Sequence, residues 1–427
     1  MPIFQLKKKR THPRLQKSLL DKVSGGDKVL DEFDLQKFKI SDKGIFRLIP
    51  AVRNCKKAIV AGVWIDNWIM ETVVSALESP DSPLRELDLR NNSVTDPVLE
   101  LLSRALLSPH CKLEALSISG EGHTSVGIAS LASALKSLSP QLRELDLSLN
   151  ILNDSLNGVI DAGLGSPKSK LEKLRLHKNT TTKHLCDVLS SGLNSNSSQL
   201  RDLDLSYSVV GDSGVESLSA GLKNPHCKLD TLRLYQCELT GKCCEALASA
   251  ICSKESGLKE LDLSNNDLRD YGVKLLSAGL MNPHCSLEKL GLSFCRVTEE
   301  GCMYLASAFK PKSSHLKELD LSYNHPGNAG AKVLSAIKED SSCKLKKLNM
   351  EHNEECWVKL ELLRKYACNI TLDPNTAHRE LLLDNRSVKR VTEEHPYPEH
   401  PERFLNNPVV MCEEGLTGRC YWEKSNS

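Results

Sequence analysis

Three His-Cys pairs are the first residues in this chain that could do chemistry, since imidazole and thiolate are the usual protein ligands of zinc. The pairs are His110-Cys111, His226-Cys227 and His284-Cys285. They belong to repeats that are at least two units apart, and strands two units apart in a sheet are separated by about 10 Å. That distance is too long for two pairs to share one ion. We therefore expect no metal site and predict that each cysteine packs at a turn.

Two further motifs could bind phosphate or activate a thiol. A phosphate-binding loop needs G-x-x-x-x-G-K-[ST], whose glycines let backbone amides surround the phosphates. The only Gly-Lys pair, Gly241-Lys242, has Gln236 where the first glycine is required and Cys243 where the hydroxyl is required. Cys243-Cys244 begins a predicted helix, where thiols can be activated, but a buried small residue is the favoured interpretation. We expect no nucleotide, no cofactor and no catalytic residues, so the chain is predicted not to be an enzyme.

The charge balance and hydropathy exclude other classes of function. The 427 residues include 56 Lys plus Arg and 55 Asp plus Glu, so the chain lacks the excess positive charge that a nucleic-acid partner requires. No run approaches the roughly 18 apolar residues that cross a bilayer, and the N-terminus lacks the apolar core of a secretory signal. We therefore expect no membrane insertion, and expect the 16 cysteines to be free, mostly buried thiols in a reducing compartment.

A repeat of 29 residues organises most of the chain. The pattern L-x-x-L-x-L recurs in ten copies at nine identical intervals, and a degenerate eleventh copy precedes them at Cys55, Ala58 and Val60. Its apolar and polar residues alternate, as in a short strand with one buried face, and the second half of each unit has apolar residues at helical spacing. This predicts an α/β leucine-rich-repeat solenoid of about eleven repeats. The ten copies begin at Leu84, Leu113, Leu142, Leu171, Leu200, Leu229, Leu258, Leu287, Leu316 and Leu345.

The ninth position of each unit is expected to close the loop that follows the strand. An Asn or Cys side chain there can hydrogen-bond backbone groups that no strand ladder reaches. Glu121 and Ser208 depart from the pattern and predict two weaker repeats. The residues that keep it are Asn92, Asn150, Asn179, Cys237, Asn266, Cys295, Asn324 and Asn353.

A finer alternation of two unit types carries a family resemblance. One type usually contains Leu-Asp-Leu-Ser and often ends in Pro-His-Cys, while the other tends to contain Leu-Thr or Val-Thr and then Leu-Ala-Ser-Ala. This alternation resembles the ribonuclease-inhibitor class of repeats used in the C-terminal sensors of the cytoplasmic NACHT-type (NOD-like) receptors. Residues 29–62 resemble the helical segment that joins a NACHT module to its repeats, and residues 367–423 resemble a PRY segment. The marks of the PRY segment are Leu372-Asp373-Pro374-Asn375-Thr376-Ala377, Pro401-Glu402-Arg403-Phe404 and Gly418-Arg419-Cys420-Tyr421-Trp422-Glu423.

These resemblances define the expected domain organisation. In the PRY-SPRY family a SPRY half follows PRY, and the resemblance leads us to expect that most of this sandwich is missing here. We therefore expect unpaired strand edges and unpaired apolar residues at Val409, Val410 and Met411, and predict that residues 367–427 are loosely attached and sensitive to proteases. The expected parts are a disordered basic arm (1–28), a helical segment resembling the NACHT-to-repeat junction (29–54), the repeat domain (55–357), a linker helix (358–366) and the PRY segment of an incomplete PRY-SPRY domain (367–427).

The exposed face of the strands is the expected binding surface. The residues just before the second and third leucines face the concave side, where acidic units alternate with mostly basic or neutral ones. Because neighbouring strands lie about 4.8 Å apart, Glu144 can pair with Lys173 and Asp146 with Arg175, and lateral neutralisation is the favoured interpretation. The count of ten acids against five bases makes a basic ligand the alternative. The candidate binding acids are Glu144, Asp146, Asp202, Asp204, Glu260, Asp262, Glu318 and Asp320.

Four aromatic residues complete the candidate protein-binding surface. Tyr207, Phe294 and Tyr323 occupy the same register just past the strand, and Tyr235 lies one place earlier. The chain is only 4% aromatic, and exposed aromatic anchors dominate many protein interfaces. The alternative is that these rings pack against the adjacent loop.

The resemblance implies a function in protein recognition. The chain is expected to be a non-catalytic protein-binding module of a cytosolic NOD-like innate immune receptor, acting in ligand sensing, autoinhibition or regulation of immune signalling. One alternative is a ribonuclease-inhibitor-like protein inhibitor, against which the net charge of +1 counts. The other is a ubiquitin-pathway adaptor scaffold, since PRY-SPRY halves often accompany ligases. No RING-type spacing of Cys and His is present, so only an adaptor role is compatible.

Overall fold

The fold is described from a computed structural model. It describes residues 29–37, 42–63, 65, 67–92, 94–119, 125–137, 141–149, 155–179, 183–309, 314–351, 371–384, 387–391, 395–405 and 408–412. The expected basic arm (1–28) and linker helix (358–366) lie outside these residues. The chain divides into two compact units, residues 1–353 and 354–427.

Within the described residues, the first unit is a leucine-rich-repeat solenoid built on one parallel sheet of twelve strands. The order of the strands in the sheet is their order in the chain, because each repeat adds one strand beside the previous one. The strands are β1 (Leu30–Asp34), β2 (Cys55–Ile59), β3 (Glu86–Asp88), β4 (Ala115–Ser117), β5 (Glu144–Asp146), β6 (Lys173–Arg175), β7 (Asp202–Asp204), β8 (Thr231–Arg233), β9 (Glu260–Asp262), β10 (Lys289–Gly291), β11 (Glu318–Asp320) and β12 (Lys347–Asn349).

A helix follows the strand in most repeats and returns the chain to the start of the next strand. In the part of the chain that the structure describes, no helix has the length and hydropathy needed to span a membrane. The helices are α1 (Asp42–Leu48), α2 (Asn67–Glu78), α3 (Asp96–Leu106), α4 (Ser125–Ser137), α5 (Ser155–Gly165), α6 (Lys183–Leu193), α7 (Gly211–Leu222), α8 (Cys243–Ile251), α9 (Arg269–Leu280), α10 (Glu299–Ala308) and α11 (Gly327–Glu339), with 3-10 turns at Leu35–Lys37 and Ile49–Asn54.

The core lies between the sheet and the helices. The middle residue of β5 is Leu145, which pairs in register with Leu174 of β6, and both are 1% exposed. Burying a leucine contributes about 1.5–3 kcal/mol, and the repeat multiplies this gain. The helices close the core with one column of apolar residues, as the sequence predicts. That buried column is Leu106, Leu135, Leu164, Leu193, Leu222, Ile251, Leu280 and Phe309.

The ninth position forms a ladder of buried hydrogen bonds, which confirms the role predicted for it. Asn266 Nδ2 donates to the carbonyl oxygens of Leu234 and Leu263 at 2.8 Å each. Its Oδ1 accepts from the backbone nitrogens of Cys237 and Leu239 at 2.9 and 3.1 Å. Each asparagine therefore ties its own loop to the previous repeat. Equivalent donor contacts are made by Asn92, Asn179 and Asn324.

Ser208 closes its repeat with fewer contacts than an asparagine would. Its Oγ donates to the carbonyl oxygen of Leu176 at 3.3 Å and accepts from the backbone nitrogen of Asn179 at 3.2 Å. The hydroxyl replaces one of the two carbonyl contacts of an asparagine because it has only one hydrogen to donate. Glu121, the other departure from the pattern, lies outside the described residues.

The segment 29–54 differs from the helix expected there. It begins with β1, which pairs with β2 so that Leu30 lies opposite Cys55 and Asp34 opposite Ile59. The sheet therefore has one strand more than the eleven repeats expected. The sequence Leu-Asp-Glu-Phe-Asp lacks the leucine pattern, and Phe33, which is 2% exposed, takes the place of a leucine in the core. The other described residues of the segment, Leu35–Lys37 and 42–54, are helical.

The second unit contains an antiparallel hairpin of β13 (Leu381–Asp384) and β14 (Ser387–Arg390). A buried arginine organises the loops around it. Arg403 is 6% exposed and donates to the carbonyl oxygens of Pro374 at 3.0 Å, Pro398 at 2.8 Å and Ala377. Its guanidinium lies 5.0 Å from the ring centroid of Tyr397. One side chain therefore joins the turn at residues 374–377 to the loop that contains Pro398.

The apolar segment near the end of the second unit is paired through its backbone. Met411 accepts a hydrogen bond from the backbone nitrogen of Asp373 at 2.9 Å and donates to Thr376 Oγ1 at 2.9 Å, and Val409 also accepts a backbone hydrogen bond. The expectation that this segment is unpaired is therefore wrong for the backbone. The side chains of Val409 and Met411 are 42% and 54% exposed, whereas Val410 is half-buried.

Candidate protein-binding surface

The exposed face of the sheet carries two rows of side chains, one on each side of the buried leucines. The first row contains the residue that opens each strand, and the second row contains the residue that closes it. From β3 to β12 the first row is Glu86, Ala115, Glu144, Lys173, Asp202, Thr231, Glu260, Lys289, Glu318 and Lys347. From β3 to β12 the second row is Asp88, Ser117, Asp146, Arg175, Asp204, Arg233, Asp262, Gly291, Asp320 and Asn349.

Acids of the first row are neutralised by bases on neighbouring strands, as the lateral-pairing interpretation predicts. Glu144 forms an ion pair with Lys173, and Glu318 Oε1 lies 2.9 Å from Lys347 Nζ. The hydrogen bond from Lys347, with attraction from Lys289 and Lys347, holds the pKa of Glu318 below its ordinary value. Because these pairs are exposed, each is expected to contribute about 0–1 kcal/mol. The first row therefore offers little free charge to a partner.

Arg233 extends this pairing across three strands. Its Nη1 lies 2.6 Å from Asp202 Oδ1 on β7, and its Nη2 lies 3.2 Å from Glu260 Oε1 on β9. Burial lowers the pKa of Arg233, but the carboxylates around it, first Asp202 and then Glu260, outweigh this effect, so the pKa is raised. A single guanidinium on this face can therefore bridge acids that are two strands apart.

Asp146 is a correction to the predicted binding residues. It lies opposite Arg175 in register, but the guanidinium of Arg175 points to Glu144, with an Nη1 to Oε2 distance of 3.7 Å. Asp146 is 5% exposed, and its Oδ2 lies 3.8 Å from Arg90 Nη1. Arg90 can reach it because the intervening second-row residue on β4 is the small Ser117. Asp146 is thus not available to a partner, and Arg90 is a contact that the repeat pattern did not predict.

Asp88 of the second row is paired with Arg90, at an Oδ2 to Nη2 distance of 2.7 Å, and three other acids of this row are held by backbone hydrogen bonds. The Oδ1 atoms of Asp204, Asp262 and Asp320 accept hydrogen bonds from the backbone nitrogens two residues later at 2.9, 3.0 and 2.9 Å. This turn holds each carboxylate at the end of its strand. Among the described residues, no lysine or arginine lies within ion-pairing distance of these three acids. The excess of acids predicted from the sequence therefore resides in the second row.

The four candidate aromatic residues form two pairs just beyond the strands. The ring centroids of Tyr207 and Tyr235 are 4.9 Å apart, and those of Phe294 and Tyr323 are 4.4 Å apart with nearly parallel planes at 12°. Tyr207 is 50% exposed and Phe294 is 40% exposed. The rings therefore pack against one another, while one ring of each pair presents much of its surface to solvent.

The backbone at this position is left-handed, which makes large side chains unfavourable there. The φ angles of Tyr207, Phe294 and Tyr323 are 60°, 54° and 57°. This conformation brings Cβ close to the backbone, so it favours glycine and asparagine, and a bulky residue in it is unusual. Local folding therefore does not explain the choice of aromatic residues. The same conformation occurs at Asn91, Leu149, Lys178, Gln236 and Asn265.

The motifs that could do chemistry are packed as structural residues. Cys243 and Cys244 are fully buried, and the hydrogen bond with Cys244 and burial raise the pKa of the Cys243 thiol, so it is neutral. A Cβ added to Gly241 would lie 2.7 Å from the carbonyl oxygen of Leu268, so the next repeat fills this space. The thirteen cysteines described by the structure are free, as expected. Within the part of the chain that the structure describes, no group of three or more His, Cys, Asp or Glu side chains could hold a metal ion.

Family models match both parts of the chain. The model described as PRY, a SPRY-associated domain, matches residues 370–416. The model described as a leucine-rich repeat matches residues 196–219, 258–277, 284–306 and 312–335. The chain thus contains leucine-rich repeats and a PRY domain, modules that support protein binding.

Curated relatives match a short part of the chain. It is 48% identical over 67 residues to the E3 ubiquitin-protein ligase TRIM11 of Rattus norvegicus, which is 15% of this chain and 14% of that protein. It is 51% identical over 63 residues to the tripartite motif-containing protein 16 of Mus musculus, covering 14% of this chain and 11% of that protein. It is 44% identical over 61 residues to the neoverrucotoxin subunit alpha of Synanceia verrucosa, covering 14% and 9%. The chain therefore spans only about one-seventh or less of the length of these relatives.

Solved structures resemble the repeat architecture. A chain of the yeast Rad7 and Elc1 complex matches with a TM-score of 0.50 and 17% identity, covering 81% of this chain and 85% of that chain. An internalin of Listeria monocytogenes matches with a TM-score of 0.39 and 15% identity, covering 79% and 95%. At this level of identity the first likeness is one of fold alone.

Proposed function

We propose that this chain is the protein-binding part of a cytosolic NOD-like receptor, in which the repeats sense a protein ligand or hold a signalling module inactive. The proposal combines the repeats and the PRY domain with the resemblance of their flanks to NACHT-type receptors. The observation that carries it is the placement of exposed aromatic rings at left-handed positions on the solenoid, where asparagine would favour folding.

This placement is informative because it opposes stability. A residue in an unfavourable backbone region costs about 1–3 kcal/mol and persists where the surrounding structure or a function requires it. Tyr207 and Phe294 combine that cost with exposures of 50% and 40%. Aromatic side chains lose little conformational entropy on binding and provide a large contact area. We therefore assign the two aromatic pairs to a protein interface.

Proximity labelling in cells that express the full chain tests this function. The Tyr207→Ala, Phe294→Ala double variant should lose the labelled proteins that wild type enriches. The matched control is Tyr271→Ala, which removes an aromatic ring that is 60% exposed on helix α9, and it should label the same proteins as wild type. Thermal unfolding should show that all three proteins are folded. Identical labelling by wild type and the double variant would remove the proposal of an aromatic interface.

The receptor assignment needs its own test, because protein binding alone is common to many repeat proteins. We expect the chain to bind a NACHT module supplied as a separate protein and to slow its exchange of nucleotide. An unchanged exchange rate at saturating chain concentration would contradict an autoinhibitory role. Fractionation should find the full chain in the cytosol.

An adaptor in the ubiquitin pathway is the second candidate. It is favoured by the similarity to the E3 ubiquitin-protein ligase TRIM11 over 67 residues. In this case a ligase should co-purify with the full chain, and Arg403→Ala in the second unit should abolish the interaction, whereas the double aromatic variant should not. The ribonuclease-inhibitor alternative would require a tight complex with a pancreatic-type ribonuclease, which the near-neutral charge of this chain disfavours.

A further inference from the structure

An exposed apolar strip crosses the first four helices of the solenoid. Phe46 of α1 and Trp68 of α2 are 41% and 43% exposed, and their ring centroids are 4.9 Å apart. Pro97 of α3 is exposed, and Val126 of α4 is 58% exposed. Trp68, Pro97 and Val126 follow one another at intervals of 29 residues, so they occupy the same position of the repeat. We call these four residues the Trp68 strip.

The helices that carry the strip are in direct contact. The backbone nitrogen of Gly127 in α4 donates to Asp96 Oδ1 in α3 at 3.2 Å, and each of these residues is next in sequence to a member of the strip. Arg104 Nε of α3 lies 3.5 Å from Glu78 Oε1 of α2. The strip is therefore one surface on the helical side of the solenoid.

Folding does not require an apolar residue at this position of the repeat. In most later repeats the position is polar or charged and exposed, as at His184, Ser213, Lys242 and Glu300. Tyr271 is an exposed exception that stands alone between Lys242 and Glu300. Single exposed apolar residues are ordinary on a protein surface, whereas a contiguous apolar patch marks an interaction site. The first repeats therefore carry a surface suited to a partner.

Two acids adjoin the strip. Glu71 of α2 and Glu100 of α3 come three residues after Trp68 and Pro97, a spacing that places side chains next to each other on a helix. Both acids are exposed, and among the described lysines and arginines none lies within ion-pairing distance of them. The surface beside the strip is therefore negative over α2 and α3, which favours a basic partner over a second copy of the same face.

The spacing of the strip fits an α-helix that lies across α2, α3 and α4. Packed helices are about 8–10 Å apart, and seven residues of an α-helix rise about 10.5 Å. Apolar residues at a seven-residue spacing on a partner helix would therefore meet successive members of the strip. An extended strand covers about 10 Å in three residues, so its successive contacts would lie on opposite faces.

We propose that the Trp68 strip binds a basic amphipathic α-helix of a protein partner. The apolar side chains of that helix pack on the strip, and its lysines or arginines lie against Glu71 and Glu100. This surface goes beyond the proposed function, because it is a second protein-binding site on the helices and is separate from the aromatic pairs beside the strands.

Three designed peptides test the proposal on the full chain by fluorescence anisotropy. The basic peptide is a helix with leucines at a seven-residue spacing and lysines beside them. The acidic peptide has glutamates in place of the lysines, and the scrambled peptide has the residues of the basic one without an apolar face. The basic peptide should bind at least about tenfold more tightly than either of the others. Equal affinity of the basic peptide and either of the others would overturn the proposal.

Substitutions at one position of the repeat locate the binding. Trp68→Ala should lose about tenfold in affinity for the basic peptide, whereas Tyr271→Ala removes an exposed ring at the same position of α9 and should bind like wild type. Val126→Lys should lose about tenfold through repulsion and remain folded, because Lys242 is the equivalent residue at α8. Its control, Ser213→Lys in α7, should bind like wild type. Equal affinities of either variant and its control would overturn the site.

The acids have a matched test in later repeats. The Glu71→Gln, Glu100→Gln double variant should weaken binding of the basic peptide severalfold and reduce its dependence on salt. The Glu216→Gln, Glu245→Gln double variant removes two exposed acids at the same position of α7 and α8, and should change neither property. Equal effects of the two double variants would show that overall charge, and not the strip, attracts the peptide, and would overturn the proposal.

Other occupants of the strip give distinct results. If a variant without residues 1–28 binds the basic peptide at least about tenfold more tightly than the full chain, the chain's own basic arm covers the strip. If sedimentation shows a dimer that Trp68→Ala dissociates, a second copy covers it. Either result would overturn a partner helix as the occupant. The Tyr207→Ala, Phe294→Ala variant should bind the basic peptide like wild type, so this site and the aromatic interface can fail separately.

Discussion

The solenoid and the second unit are stabilised in opposite ways. In the solenoid the same contact recurs in repeat after repeat, and each buried asparagine bonds to its own loop and to the previous repeat. In the second unit, three carbonyl groups from two separate segments accept hydrogen bonds from Arg403. In the solenoid, stability is therefore distributed over many equivalent residues. In the second unit it depends strongly on the single residue Arg403.

This difference predicts how the stability of each region responds to the substitution of a single residue. In a repeat protein, stability is approximately a sum of repeat and neighbour-interface contributions. Loss of one contact in the solenoid should weaken a local stretch and leave the other repeats folded. Loss of the arginine should disrupt the second unit as a whole. The following substitutions test this contrast, and their expected effects decrease from first to last.

Arg403→Ala should have the largest effect. It leaves three carbonyl groups, one of them buried, without their charged donor, and hydrogen bonds to charged groups contribute about 1.5–3 kcal/mol each. We expect the second unit to lose at least about 3 kcal/mol, since such contributions are not fully additive. Hydrogen exchange measured by mass spectrometry should show faster exchange in the β13–β14 hairpin.

The solenoid provides the internal control for that experiment. Exchange in β7–β11 should not change in Arg403→Ala. Arg403→Lys keeps the charge but cannot reproduce the planar set of donors, so it should fall between wild type and alanine. Unchanged protection of the hairpin in Arg403→Ala would show that the second unit does not depend on this residue. The same measurement on wild type tests the prediction that residues 367–427 are sensitive to proteases.

Asn266→Ala should have the next largest effect. The substitution removes donors to two carbonyls and leaves the backbone nitrogens of Cys237 and Leu239 without an acceptor. Unsatisfied buried groups cost about 1–3 kcal/mol, so we expect a loss of about 2–4 kcal/mol in urea unfolding.

Cys237 offers a matched comparison in the preceding repeat. Its thiol makes a weaker contact, from Sγ to the carbonyl oxygen of Leu205 at 3.2 Å. Cys237→Ala should therefore cost about half as much as Asn266→Ala. Equal losses would show that the ladder is stabilised by packing and not by the amide hydrogen bonds.

The sequence predicts the solenoid well because its signal is repeated many times. The leucine period, the helix column and the asparagine ladder each follow from alternation at a fixed spacing, and all three are present. The first strand was missed because Phe33 replaces the expected leucine. The burial of Asp146 was missed because it depends on Arg90 reaching across a small residue, which is a contact between repeats that pairing of adjacent strands does not reveal.

One feature of the binding surface was hidden from the sequence. The backbone is left-handed at Tyr207 and Phe294, but neither position holds the glycine or asparagine that this conformation favours. The residue types at these positions therefore could not indicate it.

Lys178→Gly should stabilise the solenoid slightly. Lys178 has a φ of 56°, where the left-handed region costs a residue with a Cβ about 1–2 kcal/mol. Glycine removes this cost but gains freedom in the unfolded chain, so the expected net gain is about 0.5–1 kcal/mol. Lys332→Gly, in the exposed part of helix α11, should instead lose about 1 kcal/mol. Thermal unfolding should give opposite signs for the two variants, and equal signs would contradict the idea of stored backbone strain.

The alternating charges at the start of the strands should have the smallest effect. Asp230 Oδ2 lies 3.1 Å from Arg201 Nη1, and Asp230 Oδ1 lies 2.9 Å from Lys259 Nζ. The side chains of Arg201 and Lys259 are, however, 55% and 56% exposed. Exposed pairs of this kind contribute about 0–1 kcal/mol and are weakened by salt. A double-mutant cycle of Arg201→Ala and Asp230→Ala should therefore give a coupling below about 1 kcal/mol that decreases in high salt. A coupling comparable to the loss in Asn266→Ala would mean that charge, and not the buried amide ladder, holds adjacent repeats together.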